Sequence, residues 1–130
     1  AYQATGPSNT FAYGDIATAW TSATPNAGNE FLTLGFATPD FSDGVIVRET
    51  FGNGFVTAVD AIDTDGVTHA NLWAGTDPSQ PGSPADFFAA WPRTPFQVKA
   101  VTIHIDTTHT AGYEEARRFA REHGIQRPME

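Results

Sequence analysis

The sequence VIVRETFGNGFVTAVDAI, at residues 45–62, contains two apolar, β-branched runs on either side of the tetrapeptide FGNG at residues 51–54. Glycine and asparagine tolerate the positive φ angles that tight hairpin turns require. We therefore predict a β-hairpin of two central strands, with the remaining strands of the domain laid beside it. The first run ends in Arg48 and Glu49, and charged groups within an apolar strand must be paired or face water.

Further strands are predicted on both sides of this hairpin. In EFLTLGF, at residues 30–36, the side chains of Leu32, Leu34 and Phe36 lie on one face with period two, which is typical of a half-buried strand. Three later runs bounded by turn residues are also predicted as strands, at residues 67–73, 86–91 and 96–105. This many short strands in close succession indicate an all-β sandwich.

Two local signals predict how the later strands are built. The sequence DTDG, at residues 63–66, predicts a tight turn because Asp-Gly is a strong hairpin signal. In the last strand the apolar positions change from even numbers, as at Val98, to odd numbers, as at Val101. A bulge near Lys99 and Ala100 reconciles the two halves, since one extra residue reverses the faces of a strand.

The pattern becomes helical near the end of the chain. Ala116, Phe119 and Ala120 recur at i, i+3 and i+4, and Gly124 is a natural helix stop. We expect residues 113–123 to form a helix that packs on the sandwich through Phe119, because an isolated helix of about eleven residues is marginal in water.

Composition limits the classes of function. A length of 130 residues with 40% hydrophobic content indicates one globular domain. We place the β-sandwich at residues 1–112 and the helix and tail at residues 113–130. Residues 1–92 carry ten acidic residues and one base, which argues against a nucleic-acid partner because phosphates require a basic surface. No apolar run approaches the ~20 residues of a membrane span.

Several segments resemble one known family, in their order along the chain. They are QATGPSNT with YGDIATAW, FLTLGF, VIVRETFGNGFVTAVDAIDTDGVTH, LWAGTDPSQPGSP and VTIHIDTTHT. Residues 1–112 thereby resemble a discoidin-like, galactose-binding-like jelly-roll domain of bacterial secreted or surface proteins. The resemblance implies a Greek-key sandwich of about eight strands. It further implies a noncatalytic module, often binding carbohydrate through loops at one end, with a glycan or cell-surface polysaccharide as partner.

The chain departs from this family at both ends. Relatives usually have a strand before QATG and a final apolar strand after the two glutamates, whereas ARRFAREHGIQRPME follows Glu114-Glu115 here. Either the predicted helix covers the exposed sheet edge, or a partner supplies a strand. The alternative function is therefore a structural or adhesion module whose incomplete edge engages a protein partner or a second copy of the chain.

The resemblance also implies a structural calcium ion. It would take Asp15, Thr18 and Glu114 as side-chain ligands, since Ca²⁺ is coordinated by about six to eight oxygen atoms. The alternative is that Asp15 caps a turn and Glu114 caps the helix.

Polar residues at predicted strand ends and turns form a candidate ligand-binding site. A sugar needs donors and acceptors fixed on a rigid scaffold, often beside an aromatic platform such as Trp73. The candidates are Arg48, Glu49, Asn53, Trp73, Asp106 and His109. The alternative is structural, with Arg48 pairing with Glu49 or Asp106. His104, Asp106 and His109 form only a weak metal-binding signal, with His104 facing outward from the last strand. No nucleophile or phosphate-binding motif supports an enzyme.

Overall fold

The fold of the chain is all-β in the part that the structure describes. The structure, a computed structural model, describes residues 4, 8–14, 16–21, 28–66 and 69–108. These ranges contain six strands, which are β1 (Asn29–Asp40), β2 (Gly44–Glu49), β3 (Val56–Asp63), β4 (His69–Ala74), β5 (Ala85–Ala90) and β6 (Val98–Asp106). Within the same ranges no helix is long and apolar enough to cross a membrane. The helix predicted at residues 113–123 lies outside the described residues.

The strands form two antiparallel sheets of unequal size. The larger sheet has the order β1-β6-β3-β4 and the smaller sheet consists of β2 and β5. The predicted hairpin at residues 45–62 is therefore wrong, because its two arms become β2 and β3 in different sheets. Gly52 and Gly54 do adopt positive φ angles, of 66° and 103°. The turn chemistry bends the chain from one sheet to the other instead of folding β3 back onto β2.

Two local features predicted from the sequence, a turn and a bulge, are confirmed. Gly66 has a φ angle of 77°, and its N–H donates to the carbonyl of Asp63 at 2.9 Å in the turn between β3 and β4. In β6, Ala100 pairs with Ile62 and Val98 pairs with Asp63, so that Lys99 is the extra residue of a bulge. Local turn and period signals therefore predicted both features correctly.

Apolar side chains from the two sheets share one core. Val59 and Ala61 of β3 and Val98 of β6 are fully buried. The rings of Trp73 on β4 and Phe87 on β5 meet edge to face, with their centroids 5.1 Å apart, and so join the larger sheet to the smaller one. Removing this apolar surface from water is the main force that holds the sheets together.

The first strand follows its predicted period only in part. Leu34 is partly buried against the core, as the alternation predicts. Phe36 is 46% exposed, because the register between β1 and β6 shifts after Gly35. The period-two pattern therefore predicts the inner face of β1 only as far as the irregularity.

Adjacent phenylalanines of β5 give a matched test of this packing. Phe87 is 7% exposed and Phe88 is 62% exposed, on the opposite face of the same strand. We expect Phe87→Ala to lower the free energy of unfolding by about 3–5 kcal/mol, since it leaves a cavity in the core. Phe88→Ala should change it by less than about 0.5 kcal/mol. Denaturant unfolding of both variants measures the difference, and equal losses would contradict the assigned faces.

Candidate functional site

An exposed aromatic ring lies beside a histidine on the outer face of the larger sheet. Phe31 of β1 pairs with His104 of β6, and His104 pairs in turn with Ala58 of β3. The ring of Phe31 is 63% exposed, and its centroid lies 6.3 Å from that of the imidazole. His104 faces outward between two buried isoleucines, as the sequence predicts. The sheet thus presents a solvent-accessible aromatic surface next to a polar ring.

A short chain of hydrogen bonds fixes the histidine. His104 Nε2 lies 2.7 Å from Oδ2 of Asp60, and Asn71 Nδ2 donates to Oδ1 of the same carboxylate at 3.0 Å. Because an ionised carboxylate only accepts hydrogen bonds, Nε2 of His104 carries the hydrogen in this contact. Asn71 Nδ2 also contacts the carbonyl of Trp73 at 3.2 Å. The three side chains are therefore held in one arrangement across β4, β3 and β6.

Two hydroxyl groups, those of the exposed Thr33 and the buried Thr102, continue this polar group toward the edge of the sheet. Thr33 of β1 pairs with Thr102 of β6, and their Oγ1 atoms lie 2.9 Å apart. Thr102 pairs on its other side with Asp60. We call the whole group the outer-face cluster, and its members are Phe31, Thr33, Asp60, Asn71, Thr102 and His104. It combines an aromatic surface with hydroxyl, amide, imidazole and carboxylate groups on regular strands, which can recognise a ligand that has both an apolar face and hydroxyl groups.

Arg48 forms an ion pair on the smaller sheet, away from the outer-face cluster. Its Nε and Nη2 atoms donate to the two carboxylate oxygens of Asp86 at 2.8 and 3.0 Å, in a two-pronged arrangement between β2 and β5. This hydrogen bonding raises the pKa of Arg48 and lowers the pKa of Asp86. The predicted structural partner of Arg48 was Glu49 or Asp106. The structure pairs Arg48 with Asp86 instead.

Glu49 and Asn53 are buried where the chain passes between the sheets. Both side chains have no exposed surface. Glu49 Oε1 accepts the N–H of Gly54 at 2.7 Å, and Asn53 Nδ2 donates to the carbonyls of Gln80 and Ser83 at 3.0 and 2.8 Å. Burial, followed by the neighbouring Asp77, raises the pKa of Glu49 to about 8. These contacts hold backbone segments together and leave neither side chain on the surface.

The remaining predicted ligand-binding residues occupy separate places. Trp73 faces the core against Phe87. Asp106 Oδ1 accepts the N–H of Thr108 at 2.9 Å, at the end of β6. His109 lies outside the described residues. The predicted residues that are described are thus distributed over the smaller sheet, the passage between the sheets, the core and the end of β6.

Of the three predicted calcium ligands, only Thr18 belongs to the described part of the chain, and Asp15 and Glu114 lie outside it. The side chain of Thr18 is exposed, and its Oγ1 lies 2.8 Å from Oγ1 of Thr10. Among the described residues, no three histidine or acidic side chains gather into a metal-binding group.

Besides the outward position of His104, the sequence contained one signal for the outer-face cluster. Phe31 is the large apolar residue that falls on the opposite face from Leu32 and Leu34, where a half-buried strand normally carries polar side chains. The partners Asp60 and Asn71 gave no such signal, because their approach to His104 depends on the register of three strands.

An apolar cavity of about 760 Å³ adjoins the inner faces of β1 and β2. Among the described residues, its lining includes Trp20, Leu32, Leu34, Val45, Val47 and Ile103. These residues come from β1, β2, β6 and the segment before β1.

Comparisons with models of known protein families, with curated proteins and with solved structures gave no match. The geometry of the chain's own residues is therefore what supports a function.

The ion pair between Arg48 and Asp86 should contribute little to stability. The two side chains are 32% and 49% exposed, so water and salt screen their attraction. We expect Arg48→Ala to lower the melting temperature far less than Phe87→Ala does. A double-mutant cycle with Asp86→Ala, at low and high salt, measures the coupling. A coupling that is large and insensitive to salt would contradict this assignment.

Proposed function

We propose that the chain is a noncatalytic carbohydrate-binding or targeting module that binds a glycan at the outer-face cluster. It would be a jelly-roll domain of galactose-binding-like type and act outside the cell or at its surface, as the resemblance implies. The observation that carries the proposal is the 63% exposed ring of Phe31 beside the hydrogen-bonded His104 and Asp60.

Stacking and hydrogen bonding would act together at this surface. The C–H face of a sugar ring packs on an aromatic ring, and its hydroxyl groups exchange hydrogen bonds with carboxylate, amide and imidazole groups. His104 and Asn71 are already oriented by Asp60. Little side-chain freedom would therefore be lost when a ligand binds.

The outer face is favoured over the loops that the resemblance points to. Asn53 has no exposed surface and its amide donates to the carbonyls of Gln80 and Ser83, while Oδ1 of Asp106 accepts from Thr108. Asn53 would therefore have to leave the interior before it contacted a sugar, whereas the ring of Phe31 already faces solvent.

Substitution of Phe31 tests the proposed glycan site. Phe31→Ala should weaken binding by about tenfold or more, corresponding to ~1.4 kcal/mol, because it removes the stacking surface. The probes are immobilised galactose-, glucose- and mannose-containing polysaccharides, followed by calorimetric titration with the best of them. Phe88→Ala is the matched control, since Phe88 is 62% exposed on the smaller sheet.

Binding that Phe88→Ala weakens as much as Phe31→Ala would assign the ligand to another surface. No binding by the wild-type protein to any of the polysaccharides would overturn the carbohydrate proposal itself.

A structural calcium ion held by Asp15, Thr18 and Glu114 is also part of the proposal. Two carboxylates and a hydroxyl are the hard oxygen donors that Ca²⁺ prefers, and Thr18 already lies beside a second hydroxyl, that of Thr10. This donor set fits the ion.

Calcium that binds only the folded state should raise the free energy of unfolding by about 2.7 kcal/mol at a hundredfold excess over its dissociation constant. Thermal unfolding with calcium and with a chelator measures this difference, which Asp15→Ala should abolish. Equal midpoints in calcium and in chelator for the wild type would refute a structural role for the ion.

The alternative function is a structural or adhesion module. The observation that favours it is an edge of the smaller sheet. In that sheet β2 pairs with β5, and among the described residues no strand pairs with the other edge of β2. A second copy of the chain could add a strand there by antiparallel pairing. This alternative predicts that the protein is a dimer by light scattering and that it binds none of the polysaccharides.

A further inference from the structure

Two acidic side chains are buried together beside the passage between the sheets. Glu49 has no exposed surface and Asp77 is 4% exposed. Glu49 ends β2, and Asp77 lies in the loop that follows β4. Although the two residues are far apart in sequence, their carboxyl groups accept N–H groups that are only two residues apart, those of Gly54 and Val56, and so lie close together.

Backbone N–H groups hold both carboxyl groups in place. Glu49 Oε1 accepts one, from Gly54 at 2.7 Å. Asp77 accepts two, from Val56 at 3.3 Å and from Ser79 at 2.9 Å. The pair therefore connects the segment after β2 to the start of β3 and to the loop after β4.

Two ionised carboxylates cannot hydrogen-bond to each other, because neither has a donor. The Oε2 atom of Glu49 is buried and has no hydrogen-bond partner among the described residues. Two buried negative charges in contact would also repel each other strongly. A single proton removes both problems, since it supplies the missing donor and cancels one charge.

We propose that Glu49 and Asp77 share one proton in a buried carboxyl–carboxylate hydrogen bond, a latch that links the loop after β4 to the passage between the sheets and is weakened as the pH rises. Glu49 carries the proton, since Asp77 has two N–H donors to stabilise its charge and Glu49 has one. The latch is a property of the fold, independent of the proposed glycan site.

Other charged and titratable groups near this pair are engaged elsewhere. Arg48 precedes Glu49 on the outward face of β2, where it is bonded to Asp86. The Tyr13 hydroxyl accepts the N–H of Gly52 at 3.0 Å. Among the described residues, Asp77 is therefore the charged group that acts on Glu49.

The sign of the pH dependence of stability follows from the direction in which folding shifts the pKa of Glu49. The pKa of Glu49 rises from 4.5 to about 8 on folding, chiefly because of burial and then because of Asp77. The stabilisation is complete below the pKa of the unfolded chain and is lost as the pH rises through the pKa of the folded protein. The shared-proton hydrogen bond is therefore present in mildly acidic solution and is lost in alkaline solution.

Unfolding midpoints in denaturant between about pH 5 and pH 9 test the latch. The wild-type midpoint should fall across this range, and Glu49→Gln should remove the part of the fall that depends on the proton. Glutamine keeps an oxygen for Gly54 and supplies an N–H for Asp77. Asp43→Asn is the matched control, because Asp43 is an exposed acid between β1 and β2, and it should leave the fall unchanged.

Infrared spectroscopy of the folded protein gives a second readout that does not depend on stability. At neutral pH the wild type should show the carbonyl band of one protonated carboxylic acid, which disappears near pH 8 and is absent in Glu49→Gln. Asp77→Asn should move the disappearance of the band to lower pH, because it removes the neighbouring charge. If Glu49→Gln does not fold, the shift of the band in Asp77→Asn still tests the proposal.

Three results would overturn the proposal. The first is the absence of a carboxylic acid band in the wild type at neutral pH. The second is a wild-type midpoint that falls no more steeply with pH than that of Glu49→Gln. The third is the loss of the band on addition of calcium, with a rise in the midpoint that requires Glu49, because a cation would then replace the proton.

Discussion

The structure depends on the passage of residues 50–55 between the two sheets. A buried segment outside any strand must find a partner for each backbone polar group, because an unpaired buried group is costly. The carbonyl of Thr50 accepts from Gly14, the N–H of Gly52 donates to Tyr13, and the carbonyl of Phe55 accepts from Asp106. The passage therefore brings together the N-terminal segment and the end of β6.

The polar side chains of this passage complete the same arrangement. Glu49 accepts the N–H of Gly54, and Asn53 donates to carbonyls in the loop after β4. The fold thereby places an ionisable pair in its interior, where an apolar pair would lack these hydrogen bonds. Such buried polar groups stabilise only when they are paired, so the same contact that closes the loop makes it sensitive to protons.

The unequal sheets separate the surfaces that are available for binding. The inner face of the larger sheet packs against the core. The side chains of its strands that reach solvent therefore lie on its outer face. On regular strands, Phe31, His104 and Asp60 keep fixed spacings. The smaller sheet exposes Ile46 and Phe88 instead, beside the ion pair in which Arg48 and Asp86 bond to each other. The hydrogen-bonded polar groups beside the exposed ring of Phe31 are the physical basis for proposing the larger sheet as the binding face.

The sequence by itself determined the features that depend on neighbouring residues: the strand class, the turn at residues 63–66, the bulge at Lys99 and the outward position of His104. Backbone preferences and side-chain period specify these locally. Only the tertiary structure decided that residues 45–62 divide between two sheets, and that Arg48 meets Asp86 while His104 meets Asp60. These partners lie 38 and 44 residues apart. Strand order and register bring them together, and both are set by burial of the whole core, which no local pattern encodes.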